Sequence, residues 1–318
     1  MALVSFEDWL NDHDRRPGTV RIYLRIVKDF VAWRTSDRQI DDSSSATVGQ
    51  LDLADYRESL RQRGLQATSI NLYLAALDAW LEWAVATNQR ADNPAARIKR
   101  IKITTNQRAP IALSRLDVSK LLDEATHTRH AARNGALVTL LVQTGLRVSE
   151  VCQLQWGDVV VGERSGQVIV GAGKGNKDRI VPLAVDSRKA LWGYAQTLDP
   201  ALSELSSNRS SRFAGLMATC FTTWMSERAT QPVFLSQKQR AIAPQTVWEL
   251  ITTLARRAGT TASPHTLRHT FGTELVRRGA ALTVVANLLG HNSITTIQRY
   301  MQPSHTDVAQ AVELLAWD

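Results

Sequence analysis

Apolar residues in the first part of the chain, residues 1 to about 90, recur every three to four positions, the period of helices that bury one face. Val20, Tyr23, Leu24, Val27, Phe30 and Val31 form one such stripe after a Pro17-Gly18 turn. The acidic, Ser-rich run 41–45 reads as a loop. Asp52 is placed to cap a helix carrying Leu53, Tyr56 and Leu60, which Gly64 closes. The strongest stripe follows, through Ile70, Tyr73, Leu74, Leu77, Trp80, Leu81, Ala84 and Val85. The aromatic residues in these stripes are core. Four helices with broad apolar faces predict a small bundle.

Past Asn93 the pattern breaks and the charge changes sign. Arg97, Lys99, Arg100, Lys102, Arg108 and Arg115 occur with no acidic residue among them, and Pro94 and Pro110 keep the segment extended. Taken alone, such a run is a solvated connection. Between two domains it also suits a phosphate backbone, because each neutralised phosphate releases counterions. Arg97, Lys99, Arg100, Lys102 and Arg108 are the expected linker contacts to such a backbone, and a domain boundary belongs here.

Helical spacing then resumes with a different architecture. Ser114 caps a helix with Asp117 at its third position, and a second apolar helix, Ala136 to Gln143, stops at Gly145. In TGLRVSEVCQL, Arg147 lies just beyond the turn and Glu150 one helical turn further on. Two strands, Gln167 to Gly171 and Asp178 to Leu183, flank AGKGNK, a Gly-rich hairpin with Lys174 at its tip. A lysine on a hairpin tip serves only solubility unless other residues recruit it. Residues 186–197 read as a helix, 198–230 as a mobile polar loop followed by a helix in GLMATCFTTWM, and Pro232 to Leu235 as a short strand. Gln245 to Ala258 is a helix ended by Gly259.

The richest stretch is SPHTLRHTFGTELVRRGAALTVVANLLGHNSITTIQRY, Ser263 to Tyr300. Ser263 caps a helix whose first position is Pro264, where a missing N–H costs nothing. His265, Arg268 and Gly272 share one side, Leu267, Phe271 and Leu275 face the core, and Gly279 ends the helix. Thr283 to Leu289 is a short helix stopped by Gly290, which puts His291 just past its C-terminus. Another short helix, from Ser293 or Thr295, carries Tyr300. Ser304 to Ala316 is a last amphipathic helix through Val308, Ala311, Val312 and Leu315.

Composition narrows the partners. The chain has 318 residues, enough for two cores, and a net charge of +8, which favours a polyanion as partner without proving one. Cys152 and Cys220 have no metal-ligand spacing and argue against a disulfide scaffold. The acidic N-terminus is no signal peptide and no apolar run reaches the length of a membrane span, so a soluble, cytoplasmic protein without membrane contact is expected. His265 and His269 are spaced as in the metalloprotease pattern H-E-x-x-H, but Thr266 stands where that chemistry needs a glutamate. His269 is therefore assigned to packing, and no metal or other cofactor is expected.

Cationic and polar phosphate ligands at the ends of elements are the recurring theme: Arg147, Lys174, His265, Arg268 and His291, followed by one tyrosine. Two arginines can bind the non-bridging oxygens of a phosphodiester and neutralise a pentavalent transition state. A tyrosine hydroxyl can attack phosphorus in line, and a lysine can protonate the departing oxygen. Of the five tyrosines, Tyr23, Tyr56 and Tyr73 lie on apolar stripes, and only Tyr300 sits beside a phosphate-binding pattern.

TGLRVSEVCQLQWGDV, GAGKGNKDRIVPL, SPHTLRHTFGTELVRRG and LLGHNSITTIQRYM, in this order, resemble the motifs of the tyrosine recombinases, or phage-type integrases, including the Xer-like proteins of mobile elements and chromosomes. The resemblance implies a mainly α fold with a small antiparallel β-sheet: a helical, SAM-like core-binding domain plus an α+β catalytic domain. It sets domain limits of 1–92 for the helical domain, 93–110 for the basic linker and 111–302 for the catalytic domain. Residues 303–318 form a C-terminal helix, which composition alone would fold back on its own catalytic domain and which the resemblance implies docks on a neighbouring subunit. It implies an active site of Arg147, Lys174, His265, Arg268, His291 and Tyr300, supported by Glu150. It further implies site-specific recombination through a covalent 3′-phosphotyrosine and a Holliday junction. The partners are then double-stranded DNA with short core sites, a homotetramer on two sites, and an accessory protein or partner recombinase. A type IB topoisomerase uses similar residues but has no need of the final helix, and a purely DNA-binding regulator has no need of the full constellation.

Overall fold

The computed structural model describes residues 2–15, 17–38, 44–102, 112–162, 164–171, 178–202 and 213–290. The chain divides into two compact units, Met1–Asn106 and Gln107–Asp318.

The first unit is helical: α1 (Ala2–Asp12), α2 (Pro17–Arg38), α3 (Gln50–Gln62) and α4 (Ala67–Ala86). Pro17 and Gly18, expected as a turn, are the first residues of α2, where proline fits because the first N–H of a helix has no partner to lose. The expected loop at 41–45 is overtaken at its end: Ser45 is buried and opens a single 3₁₀ turn to Thr47, while 41–43 lie outside the described residues. Asp52 does not precede its helix but is its third residue, accepting from the Gly49 N–H at 2.8 Å. The helix α4 runs through the centre, burying Leu74, Leu77, Trp80 and Leu81 on one side and Ala76, Trp83 and Ala84 around the rest. The alanines let neighbouring backbones approach, and the surrounding rings interlock, with Phe30 and Tyr56 edge to face at 5.0 Å.

Residues 93–102, expected to be an extended linker, are folded onto this unit instead. Asn93 caps a 3₁₀ turn, Pro94–Arg97, and Ala95, Ile98 and Ile101 pack on the helical core at intervals of three. The Asn71 side chain pairs with both backbone groups of Ile101, donating to its carbonyl and accepting from its N–H, each at 2.9 Å. Arg57 donates to the Lys99 carbonyl at 3.2 Å. With the apolar residues held inward, Arg97, Lys99, Arg100 and Lys102 are exposed. Arg108 lies outside the described residues.

The second unit mixes helices with one sheet. Its elements are α5 (Arg115–Thr126), α6 (Ala131–Thr144), α7 (Val148–Gln153), β1 (Val159–Val161), β2 (Gly166–Val170), β3 (Arg179–Pro182), α8 (Val185–Leu198), α9 (Phe213–Glu227), α10 (Pro244–Arg257), α11 (Pro264–Arg277) and α12 (Leu282–Leu289). The strands form an antiparallel sheet in the order β1-β2-β3, with Val168 opposite both Val159 and Val181. Sequence reading missed β1, which is only three residues long. Its Val159 and Val161 face the core with Val168, Val170 and Val181, while Val160 and Ile180 are exposed. The central helix α6 begins at Ala131, earlier than expected, and packs against α5, α8 and α11. Residues 232–235 form no strand ladder, only isolated bridges of Pro232 to Gln155 and Leu235 to Ala241, in keeping with a proline that has no N–H to donate. The helix expected in GLMATCFTTWM is α9, and Trp224 from it meets Trp156 edge to face at 4.9 Å.

Replacing Asn71 with Ala leaves both backbone groups of Ile101 without that partner, at an expected cost of about 1–2 kcal/mol to the helical unit. A thermal melt checks this, with a lowered midpoint expected and an unchanged one contradicting the clamp.

Candidate active site

The site is assembled at the C-terminal end of α12. A helix leaves its last carbonyls without intrahelical donors and carries partial negative charge there. The helix stops at Gly290, whose φ of +61° suits glycine far better than a side chain. Three guanidinium groups from three separate elements meet the carbonyls around this stop. Arg179 Nε donates to the Leu288 carbonyl at 2.9 Å, Arg268 Nη2 donates to that of Leu289, and Arg147 Nη2 donates to that of Gly290 at 2.9 Å.

Each arginine is placed by a local rule. Arg147 caps α7 because α6 ends abruptly at Gly145, with φ +61°. A Cβ at Gly145 would collide with the Phe271 ring and with Leu289, so the turn, α11 and α12 fit only around a glycine. Arg268 lies on the inner side of α11, whose start is fixed by Ser263 accepting from the Thr266 N–H at 3.2 Å. It is 4% exposed, and its Nη1 donates to the Gly145 carbonyl at 2.7 Å. Arg179 is the first residue of β3, paired with Val170 at the base of the hairpin. A Cβ on Gly290 would come within 3.0 Å of its Nη1, so arginine and helix stop are in direct packing contact.

Glu150 joins two of the three. As the third residue of α7 it accepts from the Arg147 N–H at 2.7 Å, and its Oε1 accepts from Arg147 Nη1 at 2.8 Å. Arg179 grips the same carboxylate with both terminal nitrogens, at 3.0 Å to Oε1 and 2.7 Å to Oε2. Burial pushes the Glu150 carboxyl up, but the Arg179 and Arg147 hydrogen bonds outweigh it and hold the pKa at about 2. Three guanidiniums against one carboxylate leave the cluster cationic. The Arg147 side chain is 42% exposed against 16% for Arg179, so Arg147 is the more open of the two to an incoming anion.

Of the residues singled out from sequence, Arg147, Glu150 and Arg268 come together here. His265 lies on α11 one turn before Arg268 and is exposed. His269 is buried, 3.5 Å from the Thr273 hydroxyl, as its packing assignment requires. Lys174, His291 and Tyr300 lie outside the described residues, although Lys174 belongs to the hairpin closed by Val170 and Arg179, and His291 follows Gly290 directly. Sequence reading missed Arg179. Its signal was alternation: Val181 faces the core from β3, and Arg179, two residues earlier, shares that face. A charge there needs a partner.

Because Glu150 is ionised in the folded chain far below the ordinary glutamate value of 4.5, its contribution to stability is present above pH 4.5 and lost as pH falls towards 2. The stability difference between the protein and its Glu150→Gln variant is therefore expected to be largest above pH 5 and to shrink on acidification. Melting curves across pH 3–7 check this, and a difference independent of pH contradicts it.

Residues 112–306 match the phage integrase family, and residues 3–88 match the phage integrase N-terminal SAM-like domain. Tyrosine recombinase XerD of Neisseria meningitidis is 33% identical over 259 residues, 81% of this chain and 80% of the relative. Tyrosine recombinase XerA of Thermococcus kodakarensis is 27% identical over 312 residues, 98% and 94% of the two chains. Among solved structures, the Tn1549 transposon integrase in complex with circular intermediate DNA superposes with a TM-score of 0.63 at 18% identity, covering 98% of each chain. XerH site-specific recombinase bound to its difH substrate gives 0.63 at 21% identity, covering 93% of this chain and 79% of that one. The two family matches, in order and together spanning most of its length, establish that the chain belongs to the phage integrase family of tyrosine recombinases.

Proposed function

We propose that this tyrosine recombinase breaks and rejoins double-stranded DNA at short specific core sites, with Arg147, Lys174, His265, Arg268, His291 and Tyr300 as its active site. The scissile phosphate sits on Arg147 and Arg268, with His291 hydrogen-bonded to a phosphoryl oxygen. The Tyr300 hydroxyl attacks phosphorus in line and gives up its proton, forming a 3′-phosphotyrosine bond as the bond to the 5′ oxygen breaks. Lys174 delivers the proton that the departing oxygen takes, and His265 positions the phosphate or moves the nucleophile's proton. The covalent link keeps the energy of the phosphodiester, so the 5′ hydroxyl of a partner strand can reverse the step without nucleotide hydrolysis.

The observation that carries this reading is the meeting of Arg147 and Arg268 at the end of α12, next to the position of His291 in the chain. Two pre-placed guanidiniums in a partly buried setting stabilise developing phosphoryl charge far better than the same groups in water. The DNA complexes of the structural relatives support DNA as substrate. The exposed cations Arg97, Lys99, Arg100 and Lys102, with Arg108, suit contacts to flanking phosphates. Four subunits on two sites, exchanging strands in pairs through a Holliday junction, complete the reading. The C-terminal segment 303–318 docks between subunits, and the reaction serves integration, excision or resolution of a mobile element or chromosome.

The Tyr300→Phe variant is expected to bind DNA but form no covalent complex on denaturing gels. Sequencing the DNA that co-purifies with it identifies the core site, and a persisting adduct removes Tyr300 from the mechanism. On a nicked suicide duplex carrying that site, Lys174→Ala is expected to slow cleavage by roughly 10²- to 10⁴-fold. A 5′-phosphorothiolate leaving group, which needs little protonation, should restore most of the rate. Equal loss on the sulfur substrate rules out the general-acid role.

A further inference from the structure

Arg179 touches three pieces of the site at once. It closes the base of the hairpin opposite Val170, it holds Glu150 with both terminal nitrogens, and its Nε caps the Leu288 carbonyl while its guanidinium packs on Gly290. All three of its guanidinium nitrogens donate within the protein, Nε to Leu288 and both terminal nitrogens to Glu150.

The charge arithmetic of the cluster gives the arginine a task. Each oxygen of Glu150 receives two donors, one from Arg147 and one from Arg179. While Arg179 is present, the carboxylate is shared and its charge is met from below. Without it, the whole negative charge falls on Arg147, the group proposed to bind the phosphate. An i, i+3 pair at short range would then draw the Arg147 guanidinium onto Glu150, and the phosphate would meet a neutralised pair rather than a cation. The loss also removes the donor at Leu288 and the packing that defines where α12 stops, and so the starting point of the chain at His291. The same substitution frees the first residue of β3, from which the hairpin carrying Lys174 departs.

We propose that Arg179 is a positioning residue for DNA cleavage: by sharing Glu150 with Arg147 and bracing the end of α12 against the hairpin base, it keeps Arg147 available to the scissile phosphate and holds three catalytic segments in register. This rests on the functional reading above, because it assigns Arg179 its purpose through the proposed phosphate ligands. The effect belongs to the chemical step. A displacement of reacting groups by about 1 Å can cost on the order of 10²-fold in rate, whereas duplex binding is spread over many phosphate contacts.

The test uses the full-length protein, with Arg179→Met, Arg179→Lys, Glu150→Gln and the Arg179→Met/Glu150→Gln pair. The substrate is a nicked suicide duplex built on the site recovered with the Tyr300→Phe variant. Arg179→Met is expected to cleave roughly 10- to 100-fold more slowly at saturating DNA with affinity nearly unchanged. Arg179→Lys, which keeps the charge but loses the fork, should recover part of the rate. The double variant should lose less than the product of the two single losses, because removing Glu150 removes the charge that Arg179 shares. A DNA-free measurement runs beside it: in the ¹³C-glutamate NMR spectrum Glu150 should not titrate between pH 3.5 and 6 in the parent protein, and should do so in Arg179→Met, or in the equally uncharged Arg179→Gln should the methionine variant fail to fold. If the parent forms no covalent adduct, the functional reading fails, and the NMR arm still decides whether Arg179 controls Glu150. If the parent cleaves and both Arg179 variants match its rate, or if the losses simply multiply and Glu150 titrates unchanged, the positioning role is overturned.

Discussion

The second unit depends on one unmet need, the open carbonyls at the end of α12. A helix end inside a protein has to find donors, and here the donors are charged: Arg179, Arg268 and Arg147 supply Leu288, Leu289 and Gly290 in succession. Neutral donors would satisfy the carbonyls equally well as hydrogen-bond partners. Guanidiniums do something further, because each keeps its charge after donating. The helix end thereby becomes a mount for three cations, and the single carboxylate of Glu150 offsets only part of that charge. That surplus is what the proposed phosphate, with its oxygens in a tetrahedral array, would meet.

The surrounding fold serves to bring three distant stretches to this mount. Gly145 stops α6 close against Phe271 and Leu289, which delivers Arg147. Ser263 and Pro264 set the start of α11 and so the inward face of Arg268, and the sheet register aligns Arg179 with Val170. Thr270, on the same helix as Arg268, accepts from the Leu113 N–H at 2.9 Å, tying the first described residues of this unit to the helix that carries the site. The helical unit is organised differently. Its aromatic core is a scaffold, and what it offers a polyanion is the cationic edge that Asn71 and the apolar residues Ala95, Ile98 and Ile101 hold in place.

Most of this was legible in the sequence where a residue's local chemistry leaves few options. Gly145, Gly279 and Gly290 marked helix stops because a positive φ favours glycine, and Ser114 and Ser263 marked starts because their hydroxyls meet an orphan N–H. The order of motifs gave the family. Long-range satisfaction was not legible. Nothing local says that Ile98 and Ile101 find a core to pack on, so two prolines and a run of cations read as an extended linker. Nothing local distinguishes Val159–Val161 from a loop until its partner β2 is in place. The Pro232 segment failed in the opposite sense, since a strand-like composition found no continuous partner. Arg179 was overlooked because its role exists only once β3, α7 and α12 are together, although its place on the inward face of a strand was a sign that a buried partner had to exist.

The account turns on where the scissile phosphate binds. The direct measurement is a crystal or cryo-EM structure of the Tyr300→Phe variant on its recovered core site, at a resolution that locates phosphorus. The account predicts the scissile phosphate at the end of α12, with non-bridging oxygens within about 3 Å of the guanidinium nitrogens of both Arg147 and Arg268, and Arg179 still on Glu150. A scissile phosphate held elsewhere, with Arg147 and Arg268 left on their backbone carbonyls, would contradict it.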